Sequence, residues 1–94
     1  MTAPIKYHPK WKETLVGSIE ENIFYVEMTM GTLHVYFPTE EAWNASAPLW
    51  ARDKWEAAKE AAKDWCREQN IPLTIDNAAW VDFIGTEDKK GEKV

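Results

Sequence analysis

Apolar and polar positions alternate with a period of two along the first half of the chain, the pattern of strands with one buried face. The alternation covers residues 23–30 and resumes over residues 33–37, with Gly31 between the two runs. Gly31 suits the first position of a two-residue hairpin turn, which would place the apolar side chains of both runs on one face. These side chains are Val26, Met28, Met30, Leu33, Val35 and Phe37. An earlier strand containing Leu15 and Ile19 completes a predicted three-stranded antiparallel meander.

The pattern changes to the period of a helix in the second half of the chain. Over residues 47–69, alanine and tryptophan recur at alternating steps of four and three, which places them on one helical face. The members of this stripe are Ala51, Trp55, Ala58, Ala62 and Trp65. Pro48 is tolerated in a first helical turn, and Asn70 followed by Pro72 predicts a left-handed cap that ends the helix.

Shorter elements flank this helix. Pro38 ends the third strand, and Thr39 can cap a short helical turn that contains Trp43. After the helix, alternation over residues 71–75 predicts a further strand, while residues 78–84 suit either a short helix or a fifth strand. The predicted fold class is therefore α+β: a three-stranded antiparallel meander followed by one long helix and a further strand, with the helix layer packed on one face of an antiparallel sheet.

The length of 94 residues corresponds to one domain. Residues 1–12 contain two prolines and three lysines, and they are expected to form an extended N-terminal arm. Residues 13–84 hold the predicted elements in a single α+β domain. Residues 85–94 lack aromatic side chains and are rich in charge, which predicts a disordered tail.

The single cysteine bounds the chemistry of the chain. Cys66 has no second cysteine to pair with, so neither a disulfide nor a thiolate zinc site is expected. The chain has two histidines, and we predict no metal site and no cofactor. Within a helix, Cys66 is expected to be a small buried hydrophobe rather than a nucleophile. No apolar run is long enough for a membrane span and no signal peptide is evident, which favours a cytoplasmic protein without a membrane partner.

The net charge is −5, and the acidic residues are unevenly distributed. Between Glu13 and Ala51 the chain has six glutamates and neither lysine nor arginine. Such a stretch repels phosphate backbones, so a nucleic-acid partner is not expected. The same charge favours a basic partner protein.

The aromatic residues outside the helical stripe suggest a site. An exposed aromatic patch with acidic surroundings would have as candidate members Tyr25, Tyr36, Glu40, Glu41, Trp43 and Trp50. Tryptophan and tyrosine commonly anchor protein interfaces. The main hypothesis is therefore a non-catalytic interaction module that binds a protein partner or a second copy of itself. The competing interpretation places Trp43 under the loop as a lid on the core.

Two other functions are carried as alternatives. In the predicted hairpin register, Glu27 lies across from Tyr36 and His34 lies across from Thr29, on the face opposite the core. Glu27, His34 and Tyr36 could then bind a small ligand or act as an acid–base site of a modest enzyme. The second alternative is an acidic decoy that occupies a basic groove on a larger protein. No catalytic motif favours an enzyme, and no catalytic residue is assigned.

Overall fold

The computed structural model describes residues 5–10, 13–29 and 31–86 of the 94-residue chain. Within these ranges the elements follow in the order β1 Ile5–Lys10, β2 Thr14–Ile19, β3 Asn22–Thr29, β4 His34–Pro38, α1 Glu40–Ser46, α2 Trp55–Gln69, β5 Leu73–Asp76 and β6 Val81–Thr86. The six strands form one sheet, and the long helix packs on it. The predicted α+β class is confirmed.

The hairpin register predicted from the alternation is confirmed where β3 meets β4. Glu27 pairs with Tyr36, Met28 with Val35, and Thr29 with His34. Leu33 is the exception in the predicted core face, because it lies in the turn that precedes β4 and is 44% exposed. The core prediction for Leu33 is therefore wrong, and the prediction for Met30 falls outside the described residues.

The sheet extends beyond residues 13–84 at both ends. Within the predicted arm, Ile5–Lys10 is β1, an edge strand that pairs antiparallel with β2 and gives the meander a fourth strand. Tyr7 holds this strand in place: its ring is buried, and its hydroxyl donates a 2.7 Å hydrogen bond to the Ala58 carbonyl of α2. At the other end, β6 runs to Thr86, and the rest of the predicted tail lies outside the described residues.

One edge of β3 is shared by two strands, which makes a fork in the sheet. β6 pairs antiparallel with the first part of β3, as far as Val26 opposite Val81, and β4 pairs with β3 from Glu27 onward. The open alternative for residues 78–84 is thereby settled as strand from Val81. β5 pairs with β4 in parallel, because α1 and α2 carry the chain back across the sheet before β5 begins. The sheet is mixed, and its prediction as purely antiparallel is wrong.

The long helix begins eight residues later than its predicted range of 47–69. Between Pro48 and Lys54 the backbone makes turns, with hydrogen bonds from Ala51 N to the Pro48 carbonyl and from Lys54 N to the Ala51 carbonyl. The Ala51 carbonyl also accepts a 2.7 Å hydrogen bond from the indole of Trp43, so a side chain of α1 competes for a helical acceptor. The predicted end is confirmed, since Asn70 is left-handed with φ 60° and ψ 43°.

Trp43 lies at the centre of the core. It has no exposed surface, and its ring meets Phe24 at 5.1 Å, Phe37 at 5.8 Å and Phe83 at 4.9 Å between centroids. Thr39 caps α1 as predicted, accepting a hydrogen bond from Ala42 N. The buried stripe of α2 consists of the small residues Ala58, Ala62 and Cys66. Small side chains let the helix approach the sheet closely. The aromatic rings fill the volume of the core that these small side chains leave.

Gly17 leaves room for two aromatic rings, those of Tyr7 and Phe24, to lie over its strand. A glycine inside a strand often marks a bulge, but Gly17 pairs in regular register with Tyr7 on one side and Phe24 on the other. A Cβ atom at this position would collide with the Phe24 ring and would lie 2.7 Å from Cε1 of Tyr7. The glycine is therefore required by the rings that lie over it.

Candidate functional site

The two faces of the sheet differ in what covers them. Both helices contribute to the core on one face, and no helix in the described part of the chain packs on the other. We call this second surface the open face. Because residues directly paired across strands share a face, its members follow from the register. They include Lys6, His8, Lys10, Thr14, Val16, Ser18, Ile23, Tyr25, Glu27, Thr29, His34, Tyr36, Thr74 and Asp82.

The open face is organised in rows that run across the strands. One row joins five strands and consists of Lys10, Thr14, Glu27, Tyr36 and Thr74. The neighbouring row consists of His8, Val16, Tyr25 and Asp82. Val16 is buried, with 5% of its surface exposed, but it is not a member of the main hydrophobic cluster. The open face therefore contains a buried apolar residue among more exposed side chains.

Lys10 belongs to one row, and its side chain contacts the other. Its Nζ atom donates a 3.0 Å hydrogen bond to the Tyr25 hydroxyl and lies 4.7 Å from the centroid of the same ring. The stem of a lysine can lie along an aromatic surface while its charge stays in water. The basic edge strand thus contacts an aromatic residue in the middle of the sheet.

His34 is held by its neighbours on β4 and β5. Its imidazole stacks on Tyr36 with 4.4 Å between ring centroids and 14° between ring planes. Its Nε2 atom is 2.7 Å from the Thr74 hydroxyl, and the two form a hydrogen bond. No ion pair joins the described side chains of His34 and Glu27. The structure brings the three residues of the predicted acid–base site onto one surface, but it couples His34 to Thr74 and Tyr36.

A cavity of about 180 Å³ lies at the fork, where β4 separates from β6. It is lined by Glu27, Tyr36, Asp76, Ala78 and Ala79. Glu27 and Tyr36 are on paired strands, Asp76 is the last residue of β5, and Ala78 and Ala79 belong to the connection that leads from β5 to β6. The cavity therefore joins the open face to a loop.

A larger cavity of about 390 Å³ lies between β1 and α2. Trp65 lines it together with the charged residues Lys6, Asp64 and Glu68. These charged side chains are exposed, and Asp64 is already paired with Arg67 at 3.0 Å. Exposed ion pairs of this kind contribute little binding energy.

The remaining predicted site residues lie on the covered side of the sheet. Trp43 is entirely buried, and Trp50 is partly buried with its ring edge-on to Phe83 at 5.7 Å. Glu40 and Glu41 are exposed in the first turn of α1, where negative charge stabilises a helix N-terminus. The residues predicted as one aromatic patch are thus divided between two faces, because Trp43 belongs to the core.

Cys66 is buried against the core. Burial raises the pKa of its thiol from 9.0 to about 11, which keeps it protonated at neutral pH. Burial also raises the pKa of Tyr7 well above 10.0, and the nearby Cys66 adds to that rise. Among the described residues, no group of three or more histidine, cysteine, aspartate or glutamate side chains is placed to hold a metal ion. None of the described helices is both long and apolar enough to cross a bilayer.

Sequence reasoning missed several members of the open face and of the cavity. His8 and Lys10 alternate with the buried Tyr7, but Pro9 obscures the strand pattern. Thr74 and Asp76 alternate with Leu73 and Ile75, a usable signal for their face, although no local signal reveals which strand they join. Comparisons with protein-family models, curated proteins and solved structures give no match to this chain.

Proposed function

We propose that this protein is a non-catalytic interaction module that binds a partner protein, or a second copy of itself, through the open face of the sheet. The observation that supports this most strongly is the position of Tyr25 and Tyr36. Both rings are partly exposed on the face that lacks a helical cover, in adjacent rows. Tyrosine anchors are frequent among the few side chains that supply most of an interface's binding energy.

The rigidity of this surface also favours recognition. The side chains stand on paired strands, and contacts such as the His34–Tyr36 stack and the hydrogen bond from Lys10 to Tyr25 orient them. Side chains that are already ordered lose less conformational entropy when a partner binds. A partner would therefore meet a surface that is organised in advance.

The charges on the open face are separated across the strands. Lys10 lies on the edge strand β1, whereas Glu27 and Asp82 lie on β3 and β6. Such a separation can orient a partner and increase its rate of association. The sequence predicts an aromatic patch with acidic neighbours. This patch is proposed here to consist of Tyr25, Tyr36, Glu27 and Asp82, and not to lie around Trp43.

The states of the Cys66 thiol and the His34 imidazole, two groups with catalytic potential, support a non-catalytic role. A buried thiol with a raised pKa is a poor nucleophile, which applies to Cys66. His34 uses Nε2 for Thr74, so that nitrogen is engaged in a structural hydrogen bond. A cytoplasmic location, inferred from the lone cysteine, is part of the proposal.

The test is capture of a partner from a lysate of the source cells, with sedimentation to measure self-association. A Tyr25→Ala/Tyr36→Ala variant should lose the captured protein or the dimer, while circular dichroism shows an intact fold. Leu49→Ala is the matched control, because Leu49 is 84% exposed and lies in the segment between the two helices. Binding that survives the double substitution would refute the open face as the interface.

A further inference from the structure

The cavity at the fork, which we call the socket, supports a more specific inference that rests on the proposed function. We propose that the socket receives the guanidinium group of an arginine side chain on the partner protein. Its volume of about 180 Å³ is that of about six water molecules. This is less than the usual 300–1,000 Å³ of sites for drug-sized ligands, and it suits the end of one side chain.

The socket is formed by secondary structure and by fixed hydrogen bonds. Glu27 pairs with Tyr36 at the point where β3 changes partner from β6 to β4. On the loop side, Ala78 N donates a 2.9 Å hydrogen bond to the Asp76 carboxylate, and Ala79 N donates to the Asp76 carbonyl at 3.1 Å. The walls are therefore positioned before a ligand arrives.

The β5–β6 connection also contacts other parts of the molecule. The Thr39 hydroxyl donates a 2.6 Å hydrogen bond to the Asn77 side-chain oxygen, which joins the start of α1 to the β5–β6 connection. Ala79 is buried, so the loop also packs against the body of the protein. The small side chains at positions 78 and 79 line the socket together with Glu27 and Asp76.

No lysine or arginine lines the socket among the residues that the structure describes. Glu27 and Asp76 are in no ion pair within the described residues. The two stretches that line the socket lack lysine and arginine, from residue 13 to 51 and from residue 68 to 88. Lys10 lies two strands away in the row of Glu27, and its amino group bonds to Tyr25. Two carboxylates near each other repel unless a cation is placed between them.

Arginine matches these walls better than lysine does. Its planar guanidinium has five donors and can bond to two carboxylates at once, whereas lysine presents a single point of charge. Tyr36 supplies an aromatic wall, and its stacking on His34 keeps that ring in place. Guanidinium groups also pack favourably against aromatic rings.

The first experiment titrates the ¹⁵N-labelled protein with N-acetyl-arginine amide at constant ionic strength and follows the backbone amide signals. We expect saturable shifts at Glu27, Tyr36, Ala78 and Ala79, with a dissociation constant in the millimolar range. The citrulline analogue, which has the same shape without the charge, should give no shifts. Absence of arginine-dependent shifts at these residues, or equal shifts with citrulline, would overturn the proposal.

Substitutions then test the two carboxylates. Glu27→Gln and Asp76→Asn should each weaken arginine binding by about tenfold, the change expected when one charged hydrogen-bonding partner is removed. Asparagine retains the side-chain oxygen that accepts from Ala78 N, so the loop should keep its conformation. The control is Asp53→Asn, which removes a charge from the exposed segment between the two helices, outside the socket and the open face. Equal binding by the socket variants and the control would refute the site.

The two proposals can fail separately. If a captured partner is lost with Tyr25→Ala/Tyr36→Ala but retained with Glu27→Gln/Asp76→Asn, the open face is the interface and the socket is not part of it. If the lysine analogue binds as tightly as the arginine analogue, the socket selects positive charge and not the guanidinium, and the arginine assignment is wrong.

Discussion

The covered and open faces of the sheet come from alternate residues of the same strands, and yet they use their aromatic side chains differently. On the covered face, polar atoms of the rings bond to the backbone: Tyr7 to the Ala58 carbonyl, Trp43 to the Ala51 carbonyl and Trp55 to the Pro38 carbonyl. The bonds of Tyr7 and Trp55 connect α2 to the sheet, and the bond of Trp43 connects α1 to the segment before α2. On the open face, Tyr25 bonds to Lys10 and His34 to Thr74, so side chains bond to side chains.

This contrast indicates which face contributes more to stability. A side chain that is buried and bonded to a distant carbonyl supports several elements at once, so its loss affects the whole fold. A side chain that bonds to its neighbours on an exposed sheet can change with only local consequences. The covered side is thus expected to contribute more to stability, and the proposed recognition surface lies on the opposite side of the same strands. Substitutions on each side can test this expectation.

The largest effect is expected for Trp43→Ala. Removing a fully buried indole from among three phenylalanine rings should lower the free energy of unfolding by about 3–5 kcal/mol. Trp43→Phe keeps a ring in the core and should lose less. Urea denaturation of both variants checks this, and a loss below about 1 kcal/mol for the alanine variant would contradict the central role of Trp43.

Gly17→Ala should be next in size. The added methyl group meets the rings of Phe24 and Tyr7, so those rings must shift, and overpacking of this kind costs about 1–3 kcal/mol. The thermal midpoint and urea denaturation measure the loss. Ser18→Ala, on the same strand but on the other face, is the control and should stay within about 0.5 kcal/mol of the parent.

A smaller effect is expected in alkaline solution, where the burial of Cys66 links stability to pH. The folded thiol has a pKa of about 11 against an ordinary 9.0, so the folded state holds its proton more tightly than the unfolded state does. The resulting stabilisation is complete below pH 9 and is lost as the pH rises to 11. Urea denaturation from pH 8 to 11 should show this decline, and Cys66→Ala should reduce its slope. Identical slopes would show that the Cys66 thiol is not shielded.

The smallest effect is expected on the open face, for Tyr36→Ala. The substitution removes the stack on His34 and a cross-strand contact, which together are worth less than about 1 kcal/mol of folding stability. The same measurement as for Trp43→Ala provides the comparison. If Tyr36→Ala and Trp43→Ala destabilised the protein equally, the conclusion that the covered face contributes more stability than the open face would be wrong.

The parts of the fold that were predictable depend on neighbours in sequence. Alternation and a short turn are enough to pair β3 with β4, which is why Glu27, His34 and Tyr36 were placed together correctly. The beginning of α2 was not predictable, because the indole of Trp43 reaches the Ala51 carbonyl only in the folded molecule. A helical pattern in sequence does not reveal such tertiary competition.

The candidate site was predictable to a similar extent. Its β3 and β4 residues follow from local pairing, but Thr74, Asp76 and Asp82 reach it through strands that pair with partners distant in sequence. The assignment of Trp43 to an exposed patch failed for a related reason. A tryptophan between a strand and a helix can turn toward either side, and the rings that enclose it come from β3, β4 and β6.

The two ends of the sheet have one more consequence, for aggregation. Two of the outer strands are β1, which contains Pro9 next to Lys10, and β5, which has only four residues and ends in Asp76. Proline, charge and short length are features that keep an outer strand from recruiting a strand of another molecule. At these two edges, a contact between two copies is therefore expected to join surfaces of side chains and not to lengthen the sheet.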